Sequence, residues 1–147
     1  MKPFHVGVIG YGWAATAHIA ALNATKQARV TSILSSRPLN DAELSARYGN
    51  PIRAFTNLRA FLDQPDLEVV DITSYPWDHR AHAIAAARAG KHLIIEKPLA
   101  LTWRDFVARP CTLTVPKGQD CVRFGLPQPA QRLHSTPHTL QAHQSQL

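Results

Sequence analysis

The sequence predicts an α/β protein with a doubly wound parallel sheet and an irregular C-terminal tail, and three observations support this prediction. Short apolar runs alternate with stretches of helical periodicity between residues 4 and 105. A glycine-rich turn joins the first apolar run to the first helix. Beyond residue 105 the periodicity is lost and prolines become frequent, at Pro110, Pro116, Pro127, Pro129 and Pro137.

The glycine-rich turn predicts a Rossmann-type site for a dinucleotide. Gly10, Gly12 and Ala15 form a G-x-G-x-x-A pattern directly after an apolar strand and at the start of a helix. The first glycine permits the tight turn, the second lets a pyrophosphate approach the backbone, and the alanine allows close packing of helix and strand. A turn that uses glycine for shape alone has the same pattern. The strand before it and the helix after it favour the binding site.

The end of the second predicted strand, over residues 29–34, indicates which dinucleotide is bound. A carboxylate is usual at this place, where it accepts hydrogen bonds from the adenosine ribose. Here the chain has Ser35, Ser36 and Arg37 instead. Two hydroxyls and a guanidinium suit a 2′-phosphate, so we predict NADP in preference to NAD. The alternative is that Arg37 is a solvated loop residue.

The remaining elements follow from apolar periodicity and from capping residues. They are a helix over 40–48, a strand over 52–55, a short helix from 58, a strand over 67–73, a helix over 79–89 and a strand over 91–95. The predicted helix N-caps are Asn40, Thr56 or Asn57, and Asp78, while Gly49 and Gly90 end helices. A capping box at residues 102–105 predicts the start of one more helix.

Two segments at the carboxyl ends of strands are candidates for contact with the cofactor. Ser74, Tyr75 and Pro76 follow the fourth strand, and Glu96-Lys97 follows the fifth. The Glu-Lys pair is either a surface ion pair or a means of placing an ammonium beside the nicotinamide. His79 and His82 lie one helical turn apart, but no third ligand clusters with them, so we predict no metal site.

Three motifs in order resemble the N-terminal half of the Gfo/Idh/MocA oxidoreductases. They are Gly-Tyr-Gly-Trp-Ala-Ala at 10–15, the alanine-rich segment 79–92 ending Ala-Gly-Lys-His, and Glu-Lys-Pro-Leu-Ala-Leu-Thr at 96–102. The resemblance implies an NAD(P)-binding Rossmann domain and hydride transfer at a hydroxyl or carbonyl carbon of a sugar, polyol or related substrate. In full-length members a second α/β domain supports substrate binding and assembly into oligomers.

The resemblance also implies roles for individual residues. Gly10, Gly12 and Ala15 would line the pyrophosphate, Ser36 and Arg37 the adenosine, and Pro76 and His79 the nicotinamide. Lys97 would lie near the reacting carbon as the catalytic residue. The complete predicted cofactor-binding set is Gly10, Tyr11, Gly12, Trp13, Ala14, Ala15, Ser35, Ser36, Arg37, Ser74, Tyr75, Pro76, His79, Glu96 and Lys97.

The change at residue 105 predicts a Rossmann domain over 1–105 and an irregular or disordered tail over 106–147, with no substrate domain. No strand is predicted in this tail. The family's proton-transfer groups lie in the second domain, so we do not expect efficient turnover from these residues alone. The alternative to an oxidoreductase domain is a truncated or frame-shifted, non-catalytic dinucleotide-binding module.

Composition excludes several other classes. The net charge of +6 comes without Lys/Arg runs, which argues against nucleic-acid binding. No apolar run approaches the roughly 18 residues of a membrane span. Cys111 and Cys121, without a secretory context, do not indicate a disulfide framework, and the N-terminus leads directly into the first strand, so we expect reduced thiols and a cytoplasmic protein.

Overall fold

The computed structural model describes residues 2–99, Leu101 and residues 121–123. In this part of the chain, strands and helices alternate as the sequence predicts. The elements are β1 (Phe4–Ile9), α1 (Trp13–Ala24), β2 (Ala28–Leu34), α2 (Asp41–Tyr48), β3 (Arg53–Phe55), α3 (Leu58–Leu62), β4 (Val69–Ile72), α4 (His79–Arg88), β5 (His92–Ile95) and β6 (Cys121–Arg123).

The strands form one parallel sheet in the order β3-β2-β1-β4-β5-β6. The chain builds outward from β1 to β3 and then returns to the other side of β1, so the direction of winding reverses between β1 and β4. This is the doubly wound arrangement that the sequence predicts. In such sheets ligands bind outside the carboxyl ends of the strands at the point of reversal.

Two apolar clusters cover the two faces of the sheet. One packs α1 and α2 against β1 and β2 and includes Val8, Ile19 and Val30. The other packs α3 and α4 against β4 and β5 and includes Phe61 and Val70. Since both faces are covered, the strands are almost continuously apolar, as expected for a parallel sheet.

The helix ends show how local sequence sets the elements. The Asn40 side chain accepts hydrogen bonds from the backbone N–H groups of Ala42 and Glu43, and Asn57 accepts from Ala60, so of the two predicted candidates Asn57 is the cap. Gly49 ends α2 at a positive φ of 71°.

Asp78 departs from its predicted role as a capping side chain. It occupies the N-cap position of α4, but its side chain makes no capping hydrogen bond. The reason is its backbone conformation: φ −93° and ψ −15° are helical, whereas a capping side chain requires an extended residue. A turn in which the Asp78 N–H donates to the carbonyl oxygen of Tyr75 leads into the helix instead.

Beyond residue 105, where the sequence shows no clear strand, Cys121–Arg123 forms β6 and pairs parallel with β5. The open edge of β5 offers unpaired backbone groups that can order a segment too short to show a pattern by itself. The predicted helix start at residues 102–105 and Cys111 lie outside the described residues. Among the described helices, none has the length and apolar character needed to cross a membrane.

Candidate functional site

The carboxyl ends of four strands meet along one edge of the sheet. The backbone N–H of Gly10 donates to the carbonyl oxygen of Leu34 at 2.8 Å, and that of Thr73 donates to Ile9 at 2.9 Å. The N–H of Glu96 in turn donates to the carbonyl oxygen of Ile72 at 2.9 Å. The glycine turn, the β2 exit and the two predicted cofactor-contacting segments after β4 and β5 therefore share this edge.

The two glycines of the turn serve different purposes. Gly10 has a φ of +98°, and a Cβ there would lie 2.9 Å from the Cα and N of Ser74 and from the carbonyl oxygen of Thr73. Gly10 is thus required for the turn and for the close approach of the β4 exit. Gly12 is exposed, and a Cβ at this position would meet nothing within 4 Å. The open space beside Gly12, at the N-terminus of α1, is what a bound phosphate would need.

The other residues of the turn face in different directions. Ala15 is fully buried against the sheet, whereas Trp13 is 87% exposed. The Tyr11 hydroxyl shares a hydrogen bond of 3.2 Å with the Tyr48 hydroxyl and accepts a long one of 3.4 Å from Arg47 Nη1. Burial, with help from the Tyr11 hydrogen bond, raises the pKa of Tyr48 to about 12. Tyr11 therefore ties the glycine turn to the end of α2.

No carboxylate lies at residues 35–37, where β2 ends. Ser36 and Arg37 are exposed, and the Ser35 hydroxyl accepts a hydrogen bond of 3.2 Å from the Arg37 backbone N–H. The next acidic residue is Asp41, whose Oδ1 accepts a hydrogen bond of 2.9 Å from the Ala54 backbone. The β2 exit thus presents hydroxyl and guanidinium groups, and the Asp41 carboxylate is engaged at β3.

Two histidines of α4 hold the loops that follow β4 and β5. His79 is 1% exposed, and its ring nitrogens face the carbonyl oxygens of Ser74 and Pro98, each at 2.9 Å. His82 Nδ1 lies 2.9 Å from the Ser74 hydroxyl, and burial lowers the pKa of His82. Both ring nitrogens of His79 are therefore occupied within the protein, and its predicted contact with the nicotinamide stays a prediction.

The loop after β4 also carries exposed aromatic side chains. Tyr75 and Trp77 are 67% and 64% exposed, and their rings stack with centroids 4.7 Å apart and an interplanar angle of 10°. Pro76, between them, is partly buried. This loop presents a flat apolar surface at the carboxyl edge of the sheet.

Sequence reasoning missed a cluster of three ionisable side chains. His18 Nδ1 of α1 lies 2.9 Å from Oδ2 of Asp71 in β4, and its Nε2 lies 3.3 Å from Oε1 of Glu96 after β5. The available signal was an aspartate within the apolar strand Val69–Ile72. Glu96 Oε2 also accepts a hydrogen bond of 2.6 Å from the Lys97 backbone N–H.

The described residues contain no group of three or more His, Cys, Asp or Glu side chains arranged to hold a metal ion. The edge instead offers helix N–H groups beside Gly12, a guanidinium near the β2 exit and an exposed ammonium at Lys97. These groups suit an anionic, extended ligand that lies across the point where the winding reverses.

Comparisons with known proteins agree with this arrangement. Residues 4–113 match the Gfo/Idh/MocA oxidoreductase family, which is described by its NAD-binding Rossmann fold. A levoglucosan dehydrogenase of Pseudarthrobacter phenanthrenivorans is 37% identical over 113 residues, which are 71% of this chain and 29% of the relative.

Two solved structures show the same fold with a dinucleotide bound. A levoglucosan dehydrogenase in complex with NADH and L-sorbose gives a TM-score of 0.65 at 36% identity, covering 77% of this chain and 32% of that one. A biliverdin reductase from Synechocystis sp. PCC 6803, with biliverdin and NADP+, gives 0.62 at 29% identity, covering 72% and 33%. The chain thus spans about a third or less of the length of these three relatives.

Proposed function

Because this chain belongs to the Gfo/Idh/MocA family and forms its NAD(P)-binding Rossmann domain, we propose that it binds NADP in preference to NAD. We further propose that it serves hydride transfer at a hydroxyl or carbonyl carbon of a sugar or polyol. The observation that supports this most directly is the open space at Gly12, at the N-terminus of α1 on the edge where the β1, β4 and β5 ends meet.

The residues at this edge fit a dinucleotide. The first backbone N–H groups of α1, from Trp13 to Ala15, have no partners within the helix and can donate to a pyrophosphate. A Cβ at Gly12 would occupy the space through which the pyrophosphate approaches. Ala15 has a small side chain that lets α1 pack closely on the sheet.

The preference for NADP rests on the β2 exit. The hydroxyls of Ser35 and Ser36 and the guanidinium of Arg37 can bind a 2′-phosphate. A carboxylate at residues 35–37 would repel that phosphate, and the sequence has none at these positions. Relatives bind either dinucleotide, since one is seen with NADH and another with NADP+.

The reaction we propose uses Lys97 as the catalytic residue. The bound cofactor supplies or accepts the hydride. Lys97 is exposed at the end of β5, so its ammonium can stabilise negative charge on the substrate oxygen as that carbon is reduced or oxidised. A sugar or polyol as substrate is supported by the L-sorbose in the complex of a structural relative.

Calorimetric titration of the purified 147-residue chain with NADP and then NAD tests the cofactor. In Arg37→Ala we expect NADP affinity to fall about tenfold or more, as for the loss of a charge-assisted phosphate contact, while NAD affinity is unchanged. Arg59→Ala is the matched control, because Arg59 is 91% exposed on α3 and pairs only loosely with Asp63 at 3.6 Å. Equal effects on both dinucleotides, or no binding by a folded wild-type chain, would contradict the proposal.

The reaction is tested by following the absorbance of the reduced cofactor with a panel of sugars and polyols. Turnover that Lys97→Ala removes without changing NADP affinity supports the proposed role of Lys97. Binding of NADP with no turnover on any panel member would favour the alternative, a dinucleotide-binding module that does not catalyse hydride transfer by itself.

A further inference from the structure

The side chains of His18, Asp71 and Glu96 form a connected set that reaches from the interior of the sheet to the segment carrying Lys97. Asp71 is fully buried in β4, between its sheet partners Val8 in β1 and Ile94 in β5. His18 lies between Asp71 and Glu96, with one ring nitrogen directed at each carboxylate.

With Asp71 and Glu96 ionised, the geometry of this set favours a doubly protonated His18 ring. Carboxylates only accept hydrogen bonds, so both nitrogens of His18 donate only when the ring is the imidazolium. The hydrogen bond to Asp71 and the two nearby negative charges raise the pKa of His18, against the opposing effect of burial. Burial raises the pKa of Asp71, and the bond from His18 works against that shift.

Among the described residues, the charged groups that face the His18 ring from the elements packed against it are Asp71 from β4 and Glu96 from the end of β5. Within α1, His18 is the only titratable side chain. Within the described residues, Oδ1 of Asp71 is buried without a hydrogen-bond partner. The hydrogen bond between His18 and Oδ2 therefore fixes the position of this carboxylate.

Glu96 connects His18 to the backbone of the next residue, Lys97. While Oε1 faces His18, Oε2 accepts the Lys97 backbone N–H at 2.6 Å. We propose that His18 is a positioning residue: its protonated ring, anchored on Asp71, holds the Glu96 carboxylate and thereby fixes the backbone direction of Lys97. The consequence for catalysis rests on the role of Lys97 proposed above, whereas the coupling itself does not.

The coupling is tested by NMR on the full chain, following the His18 ring signals and hydrogen exchange of the Lys97 amide against pH. We expect the Lys97 amide to be protected while His18 is protonated, and to lose that protection in step with His18 deprotonation. At a pH low enough for wild-type His18 to be protonated, Lys97 exchange in His18→Gln should be about tenfold faster than in wild type, as for the loss of a hydrogen bond to a charged group. Amides in the centre of β1 should not change.

Controls separate positioning from simple packing. His5→Gln makes the same substitution at a histidine near the amino end of β1, and should leave Lys97 exchange unchanged. Glu96→Gln keeps the shape of the side chain at a partly exposed position, so the fold is retained. This variant should lower the pKa of His18 and remove the pH dependence of Lys97 protection.

The proposal would be overturned if the protection of the Lys97 amide did not change as His18 titrates. It would also be overturned if Lys97 exchanged equally fast in wild type and Glu96→Gln. Titrating the same samples with NADP keeps the two proposals apart. Coupled Lys97 exchange in a chain that binds no dinucleotide would leave the positioning role intact and refute the proposed function. NADP binding without the coupling would refute the positioning role alone.

Discussion

Alanine substitutions at Gly10 and Gly12 should separate the folding role of the glycine turn from its binding role. Gly10 has a positive φ of +98°, and an added methyl group would lie 2.9 Å from the backbone atoms of Ser74 and Thr73. Gly12 is at φ −105°, which alanine adopts freely, and the added methyl group would meet nothing within 4 Å. The two substitutions are chemically identical and two residues apart.

The expected magnitudes differ clearly. For Gly10→Ala, the left-handed conformation costs about 1–2 kcal/mol, and the contact with rigid backbone adds about 1–3 kcal/mol. The sum of about 2–5 kcal/mol is a large part of the stability of a domain of this size. For Gly12→Ala, the weaker N-cap lowers the free energy of unfolding by about 0.5–1 kcal/mol. The reduced flexibility of the unfolded chain raises it by about 0.4–1 kcal/mol. The free energy of unfolding should therefore hardly change.

Binding should show the reverse pattern among folded samples. The Gly12→Ala methyl group would fill the space that we assign to the pyrophosphate, so we expect NADP affinity to fall at least tenfold, or about 1.4 kcal/mol. Urea unfolding followed by circular dichroism measures the stabilities, and calorimetric titration measures the affinities. A Gly12→Ala chain that is as stable as wild type and binds NADP equally well would refute the assignment of this turn to the cofactor.

The remaining predictions concern the core and the response to pH. Gly7→Ala should destabilise the chain by about 1–3 kcal/mol, because the new methyl group would lie 2.5 Å from the buried Phe61 ring. The double variant with Phe61→Leu should recover part of this stability. Additive losses of the two substitutions in urea unfolding would contradict the proposed clash. The raised pKa of His18 implies stability that is present below pH 6.5 and lost as pH rises through the folded-state value, so the unfolding midpoint of His18→Gln should lack this alkaline decline. The lowered pKa of His82 implies stability that is present above 6.5 and lost on acidification, so His82→Gln should lack that acid decline; parallel pH profiles for wild type and either variant would contradict the corresponding shift.

Local sequence was sufficient for most of the elements and for the location of the candidate site. Apolar runs and the caps at Asn40 and Asn57 predicted helices and strands within one or two residues of their observed ends, because both signals act over a few neighbouring positions. The site's location followed as well. In a parallel sheet every strand ends at the same edge, so the segments after β1, β2, β4 and β5 had to meet.

Which side chains contact one another at the carboxyl edge of the sheet follows only from the tertiary structure. His18 and Asp71 are 53 residues apart in the chain, and His79 reaches Ser74 on one side and Pro98 on the other. Such pairings depend on how helices cross the sheet, which no local pattern encodes. The same is true of β6, since Cys121–Arg123 shows no strand pattern by itself and is a strand through its pairing with β5. The sequence by itself determined the elements and their order, whereas the packing of α1 and α4 on the sheet determined the side-chain contacts around Glu96 and Ser74.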